Sequence, residues 1–369
     1  MNKRNSSIEL LKIFAIFIIL ISHLIPYYLD NISIVTYNYA TTDPYVFTLI
    51  CFRYLGHLGN AIFIACSAYF MCHSEKSYWK KALLLLFETE IISWTLTIIN
   101  VCTTKVPLST LDILNSVFPI SFGQYWFIGS FIIYLLFTPL WNKLIHKLPK
   151  KKAIIVVSIS AVVSFIIVMI INFTTNVNAS FAVSDNIAFN IFGYYMNCVF
   201  NGFVFLVVGS IIYLLKTYKK EWMENTKLNV IVCVSSFILL YVCLIAYNAI
   251  ALNVPAINNR MLAFDYFLNP FMLLFAISLV NIANKKVINV KFVNFLSSLS
   301  LFIYVMTENT FMHKAVYDPL FSYFYNFTPI YFTPLLTLLF SVMFFVGGVI
   351  ASTAYKYIID KPILCRIFK

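Results

Sequence analysis

Charge is what this sequence has least of. Only 11% of its 369 residues are Asp, Glu, Lys or Arg, against about a quarter in an ordinary globular domain. So few charges cannot cover a water-exposed surface, which excludes a soluble one- or two-domain protein. Glycine is scarce too, nine in all, and none forms a Gly-rich phosphate loop. The eight cysteines (Cys51, Cys66, Cys72, Cys102, Cys198, Cys233, Cys243, Cys365) make no C-x-x-C pair and lie mostly in apolar runs. They read as buried free thiols, neither a zinc site nor a disulfide framework. There is no clustered His/Cys set for a metal or haem, no NAD fingerprint, no internal repeat and no low-complexity run. What the chain does have is 61% hydrophobic residues and a mean hydropathy of +0.87.

Each helix crossing a hydrocarbon core of ~30 Å needs ~20 mainly apolar residues. Ten stretches meet that: Ile8–Leu29, Val46–Met71, Ala82–Cys102, Gln124–Trp141, Ala153–Phe173, Ile187–Leu215, Leu228–Leu252, Phe264–Ile282, Phe295–Met312 and Tyr331–Tyr357. They are continuously apolar with no in–out alternation, which argues against a barrel of strands. The first lacks a small-residue cleavage site and is too long for a signal peptide. The last is long enough to tilt or to end in an interfacial turn. The expected fold class is all-α: a polytopic membrane protein of about ten transmembrane helices, one domain over residues 1–369, with no fused soluble domain.

The net charge of +12 would hint at nucleic acid in a soluble chain, but here position matters more. Of the 26 Lys and Arg, all but five fall at the two ends or in the second, fourth, sixth and eighth connections. Lys105, Arg260 and Lys314 alone fall on the other side. The positive-inside rule therefore puts both termini in the cytoplasm, and the inner lysine clusters against anionic headgroups. Nucleic acid is not an expected partner; the lipid bilayer is. The outer loops Asp30–Tyr45 and Thr103–Gly123 have the length to form caps or re-entrant pieces.

Lys12 and Arg53 remain, inside spans and away from their ends. At mid-membrane such groups cost ~2.5–3.5 kcal/mol or more, so each marks a functional site by default. Lys12 and His23 are eleven residues apart, about three turns plus ~20°, and so share one helical face ~16 Å apart along the axis. Glu9 falls within about 40° of the same line. A cation at the cytoplasmic mouth suits phosphate; a histidine deeper on the same face suits proton transfer. The structural alternative is that Lys12 snorkels to headgroups and His23 bonds a neighbouring helix. The second span carries Arg53, Gly56, His57, Gly59, Asn60 and Ser67. Its glycines permit close helix approach, and Arg53 demands an anionic partner, for which Glu308 lies at a matching depth. Glu88 and Glu90 point to different faces; one of them is expected to pair with Lys12 or to sit protonated. Gln124 and Trp126, at the outer interface, read as packing within an aromatic belt.

These residues resemble a known family. Arg4-Asn5-Ser6-Ser7-Ile8-Glu9-Leu10-Leu11-Lys12 followed by His23 is similar to the first helix of the integral-membrane acyltransferase-3 family, whose mark is Arg or Lys, ten residues, then His. Phe52-Arg53 and Gly59-Asn60-Ala61-Ile62-Phe63 through Ser67-Ala68-Tyr69-Phe70 resemble its second helix. Tyr125-Trp126-Phe127 through Asn142 resembles its fourth, and Ser298 through Glu308-Asn309 resembles a late segment of the "YLIHEN" type. Three features depart from the pattern: Ala68 stands for a usual Gly, Thr307 for a frequent His, and Lys80 with Lys81 for a basic R-x-x-R.

The resemblance implies a membrane O-acyltransferase of cell-surface glycans, in a multi-pass bacterial cytoplasmic membrane setting. It implies acyl-CoA, usually acetyl-CoA, as donor substrate, with no permanently bound cofactor and no metal. The acceptor would be a hydroxyl of an extracytoplasmic or lipid-linked glycan. Lys12, Lys80 and Lys81 are expected to hold the CoA phosphates. His23 is expected to act as base or acyl carrier, Arg53 to stabilise an oxyanion, and Glu308 to orient the imidazole or pair with Arg53. If transfer needs a separate extracytoplasmic transferase, another protein must supply it. The competing reading is a polytopic transporter of a glycan or small solute. Transporters commonly show helices broken at Gly or Pro in two related halves, and neither the glycines nor a repeat is visible here. A third reading is a membrane binding or scaffold protein whose family site has decayed.

Overall fold

The computed structural model describes residues 5–31, 39–103, 109–121, 124–174 and 187–364, and among them every regular element is helical. Lys3, Arg4, Lys105, Cys365, Arg366 and Lys369 of the sequence reading lie outside the described residues. The long elements are α1 (Ser6–Asn31), α2 (Pro44–Met71) and α3 (Trp79–Thr103). After the short α4 (Thr110–Val117) come α5 (Trp126–Lys147), α6 (Lys150–Thr174) and α7 (Ile187–Tyr218). The short α8 (Lys220–Glu224) precedes α9 (Thr226–Asn253). The last third breaks into shorter pieces: α10 (Pro270–Asn284), α11 (Lys291–Ser297), α12 (Ser300–Thr307), α13 (Thr310–Met312) and α14 (Asp318–Phe327), before the long α15 (Thr333–Tyr355). A π-helical stretch, Lys356–Leu364, continues α15. Among the described residues eight helices are long and apolar enough to cross a membrane, and the eighth and ninth predicted spans correspond to the two shorter apolar helices. The chain is an all-α, multi-pass membrane protein.

Local chemistry sets the boundaries. Asp43 accepts from the backbone N–H groups of Tyr45 and Val46, and Pro44 opens α2, where its missing N–H costs nothing. Asn225 caps α9 by accepting from Leu228 N–H. Asn269 followed by Pro270 starts α10 in the same way. This places the start of the eighth span six residues later than hydropathy predicts, and leaves 15 residues, ~22 Å of helix.

Helices α1, α2 and α7 form the inner layer and bury most of their apolar windows, whereas α6 and α9 bury little. The outward side chains of those two, such as Ile155, Ile159 and Ile170 or Ile231, Ile238 and Ile245, form the apolar surface that lipid would cover. α1 and α2 pack without a gap because two glycines face α1. A Cβ on Gly56 would sit 2.5 Å from Ser22 Oγ, and one on Gly59 would sit 2.7 Å from the backbone oxygen of Ala15.

The lysine-bearing segments gather at one end of the bundle. Ser6 N–H donates to Ile288 O, tying the start of α1 to the α10–α11 connection. Lys216 donates to Tyr69 O at 2.9 Å and Asn284 to the Tyr69 hydroxyl at 2.7 Å. Asn142 bonds Met71 O and Ser74 O, and Lys356 reaches Ser298 Oγ. At the opposite end Asn248 and Thr41 exchange hydrogen bonds, and Ser93 and Trp94 of α3 bond the carbonyls of Ser116 and Val117 of α4. Both predicted outer loops thus contribute capping contacts. A third segment, residues 254–269, descends from this end into the bundle, and α10 completes the crossing to the lysine-bearing end.

Candidate active site

Two interruptions define the centre of the molecule. After α9 the chain descends into the bundle, burying Met261, Leu262 and Ala263 completely. Tyr54 Oη donates to Met261 O at 2.7 Å, about 15 Å along α2 from its first residue. Asn172 of α6 donates to Ala263 O, and Arg260 Nε to Phe173 O. This descent carries Asp265, 6% exposed, to the level of Arg53.

The second interruption separates α12 from α13. Asn309 caps α13 by accepting from Phe311 N–H, and its amide donates to Tyr125 Oη. The Gln124 amide donates to the Glu308 carbonyl at 3.0 Å and to Thr310 Oγ1 at 3.2 Å. His313 Nε2 lies 3.1 Å from Thr307 O; facing a carbonyl, it must donate. Backbone groups freed inside a membrane protein need such partners. Gln124, read from the sequence as packing, is one of them. So is His313, which the sequence reading did not single out.

The break lets Glu308 reach His23: the Nδ1–Oε1 distance is 2.5 Å. A carboxylate only accepts, so the Nδ1 that faces it is a nitrogen carrying a proton. The pair sits about one-fifth exposed, and the ring of Tyr304 lies 6.3 Å from the imidazole. Arg53 is held beside it on α2. Its guanidinium donates to Ser22 Oγ at 3.0 Å, and Ser22 Oγ donates to the Arg53 carbonyl at 2.8 Å. Arg53 lies within electrostatic range of both Glu308 and Asp265. The predicted arginine–carboxylate neighbourhood therefore has two acids, of which Glu308 contacts the histidine.

His23 and Arg53 line a cavity of about 360 Å³ with His57, Asn60, Trp126, Asn172, Asn197, Asn201, Asp265 and Tyr266. Tyr266 Oη donates to Asn201 Oδ1 at 2.7 Å, and Asn201 donates to Asn197 Oδ1, which fixes one wall. Trp126 stands on another wall, its ring 6.1 Å from that of His57. On the lysine-bearing side of His23 lies an apolar slot of about 100 Å³, bounded by Ile16, Ile19, Phe63, Leu85, Phe127, Leu301 and Tyr304 among others.

Nearer that end, Lys12 Nζ lies 3.5 Å from Glu9 Oε2, and Ser297 Oγ donates to the same carboxylate. The partner of Lys12 is thus Glu9, one turn away on its own face, and not Glu88 or Glu90. Glu88 has Lys356 and Asp360 as its charged neighbours. Lys81 lies within electrostatic range of Lys12. Lys80 is exposed, with its ammonium 5.8 Å from the Trp79 ring centre. The structure brings His23, Arg53 and Glu308 together in one place, and Lys12 and Lys81 in another.

Asp265 and the asparagine wall escaped the sequence reading. The signal was Asn269-Pro270, a cap followed by a helix-starting proline, which puts Asp265 outside the helix. Nothing local marks Asn172, Asn197 and Asn201, which come from two helices.

Among known protein families, residues 5–357, nearly the whole chain, match the model of the acyltransferase-3 family, described as an acyltransferase domain. No curated protein matches, and no solved structure does.

Proposed function

Since the chain belongs to the acyltransferase-3 family and is a membrane acyltransferase, we propose that it moves an acetyl group from cytoplasmic acetyl-CoA to a hydroxyl of a cell-surface or lipid-linked glycan, across a bacterial cytoplasmic membrane. The observation that carries this reading is the 2.5 Å contact between His23 Nδ1 and Glu308 Oε1 at the edge of a polar cavity. It leaves Nε2 as the base, oriented by an acid, the arrangement that activates a hydroxyl.

In this reading the lysine-bearing end faces the cytoplasm, as the charge distribution of the sequence suggests. Lys12 and Lys81, with Lys80 at the rim, hold the CoA phosphates. The pantetheine arm follows the apolar slot past Ile16 and Ile19 and brings the thioester to His23. His23 Nε2 takes the proton of the acceptor hydroxyl as its oxygen attacks the thioester carbonyl. The tetrahedral oxyanion forms near Arg53, which stabilises it in a site of low dielectric. Collapse expels the CoA thiolate, the proton on Nε2 goes to that sulfur, and the products are an ester and free CoA. Glu308 stays ionised throughout and stabilises the imidazolium.

The transporter reading draws on one observation: the chain is interrupted at mid-bundle both before α10 and between α12 and α13, as transporter helices often are. These interruptions are consecutive in the chain, however, and not at matching positions of two halves. The test is transfer of labelled acetyl by protein in vesicles. His23→Ala, present at wild-type level, is expected to lose transfer by about 10³-fold or more. Lys12→Ala is expected to raise the apparent Km for acetyl-CoA with little change in kcat. Full transfer by His23→Ala would overturn the mechanism.

A further inference from the structure

The polar cavity holds several buried atoms without a partner among the described residues. Asp265 Oδ1 and Asn60 Oδ1 are acceptors, and Arg53 Nε is a donor. Asp265 and Asn60 are both more than nine-tenths buried, and both line the cavity. Left unmatched, such groups are costly. A group that both donates and accepts satisfies the mixture, and the hydroxyl is the common one. Charge narrows the choice further. Arg53 lies within electrostatic range of two carboxyl groups, Asp265 and Glu308, so its charge is shared between acids the site already holds. An acceptor bringing its own carboxylate would set a second anion against Asp265 inside a low-dielectric space.

We propose that Asp265 is the residue that selects the acceptor: its carboxylate receives hydrogen bonds from hydroxyls adjacent to the one that is acylated, and it excludes sugars whose ring carries a carboxylate there. The proposal rests on the acyltransferase reading and adds to it a substrate class, the uncharged sugar ring. Asp265 takes no part in proton transfer. It holds the ring so that one hydroxyl reaches His23 Nε2, with Trp126 as an apolar wall for a sugar face. Removing the negative charge has two consequences. The neutral sugar loses a charge-assisted hydrogen bond, and Arg53 becomes free to attract an anion.

The experiment uses wild-type protein, Asp265→Asn and Asp265→Glu in vesicles, with labelled acetyl-CoA and two acceptors, methyl glucoside and methyl glucuronide. For Asp265→Asn the expected result is a Km for methyl glucoside raised about 10- to 100-fold, kcat changed little, and the preference for methyl glucoside over methyl glucuronide reduced at least tenfold. Asp265→Glu, which keeps the charge on a longer arm, raises the Km but retains the preference; it also carries the test if Asp265→Asn does not accumulate. An unchanged preference in Asp265→Asn overturns the proposal, as does a loss confined to kcat. Wild-type protein that turns over acetyl-CoA through His23 yet acetylates neither sugar, or both equally, overturns it while leaving the acyltransferase reading intact. Absence of any His23-dependent turnover overturns the acyltransferase reading itself.

Discussion

The intact helices and the interrupted ones make opposite contributions to the centre of this molecule. α1 and α2 run unbroken through the bundle and supply Lys12, His23 and Arg53. The two interrupted regions, residues 254–269 and the α12–α13 junction, supply Asp265 and Glu308. The difference follows from side-chain length. Arginine and lysine span several ångströms from a regular helix and can leave its backbone hydrogen bonds undisturbed. Asp265 and Glu308 have shorter arms, and at both the backbone itself comes towards the partner. Opening a helix within a membrane frees donors and acceptors that must then be matched. Gln124, Asn309 and His313 do this at one interruption; Tyr54, Asn172 and the cap residue Asn269 serve the other.

Breaking the acidic side of this comparison has the largest expected effect. Glu308→Gln preserves shape and removes the charge that stabilises a protonated His23. Its kcat is expected to fall about 10²- to 10⁴-fold with the apparent affinity for acetyl-CoA retained, as measured by initial rates in vesicles. Set beside Asp265→Asn, it separates the two acids: one change appears in kcat, the other in Km. The intact side breaks next. Gly59→Val drives side-chain atoms into the Ala15 carbonyl and Ile19, and is expected to cost about 1–3 kcal/mol, read as a lower melting temperature in detergent. Gly347→Ala is the control: an added Cβ there meets nothing within 4 Å, so the melt should not fall, and the gain in helix propensity should raise it slightly. The smallest effect belongs to the link between the two helices. Ser22→Ala removes the hydroxyl that holds Arg53, worth about 0.5–1.5 kcal/mol, and kcat should drop two- to tenfold.

What the sequence could reveal divides along the same line. Hydropathy marks the continuous helices well, because a lipid-facing helix and its buried neighbours are both apolar over their full length. The spacing of Lys12, Glu9 and His23 likewise puts them on one face of α1, where Lys12 and Glu9 are in contact. Hydropathy is blind to interruptions, because residues such as Met261, Leu262 and Ala263 are as apolar in a loop as in a helix. The depth of Glu308 was therefore legible, whereas its reach depends on a break held partly by Gln124, 184 residues away in sequence. Asp265 was hidden by the same blindness, although Asn269-Pro270 marked where the helix begins. Glu88 and Glu90 drew attention as acids inside a span, but only packing decides which acid a lysine meets.

The hydrogen bond from Tyr54 to Met261 has a mechanical consequence. Arg53 and Tyr54 are neighbours in one rigid helix, so the arginine and the anchor of the segment bearing Asp265 share a single frame of reference. Any displacement of α2 would carry cation and anchor as one body. The spacing of Arg53 and Asp265 is thereby shielded from breathing of the bundle. The approach of Glu308 to His23 joins two separate parts of the chain and is held from a third, by Gln124 at the Glu308 carbonyl. Of the two charge relationships at the centre, one is set by an anchor next to it in sequence and the other by contacts between distant parts of the chain.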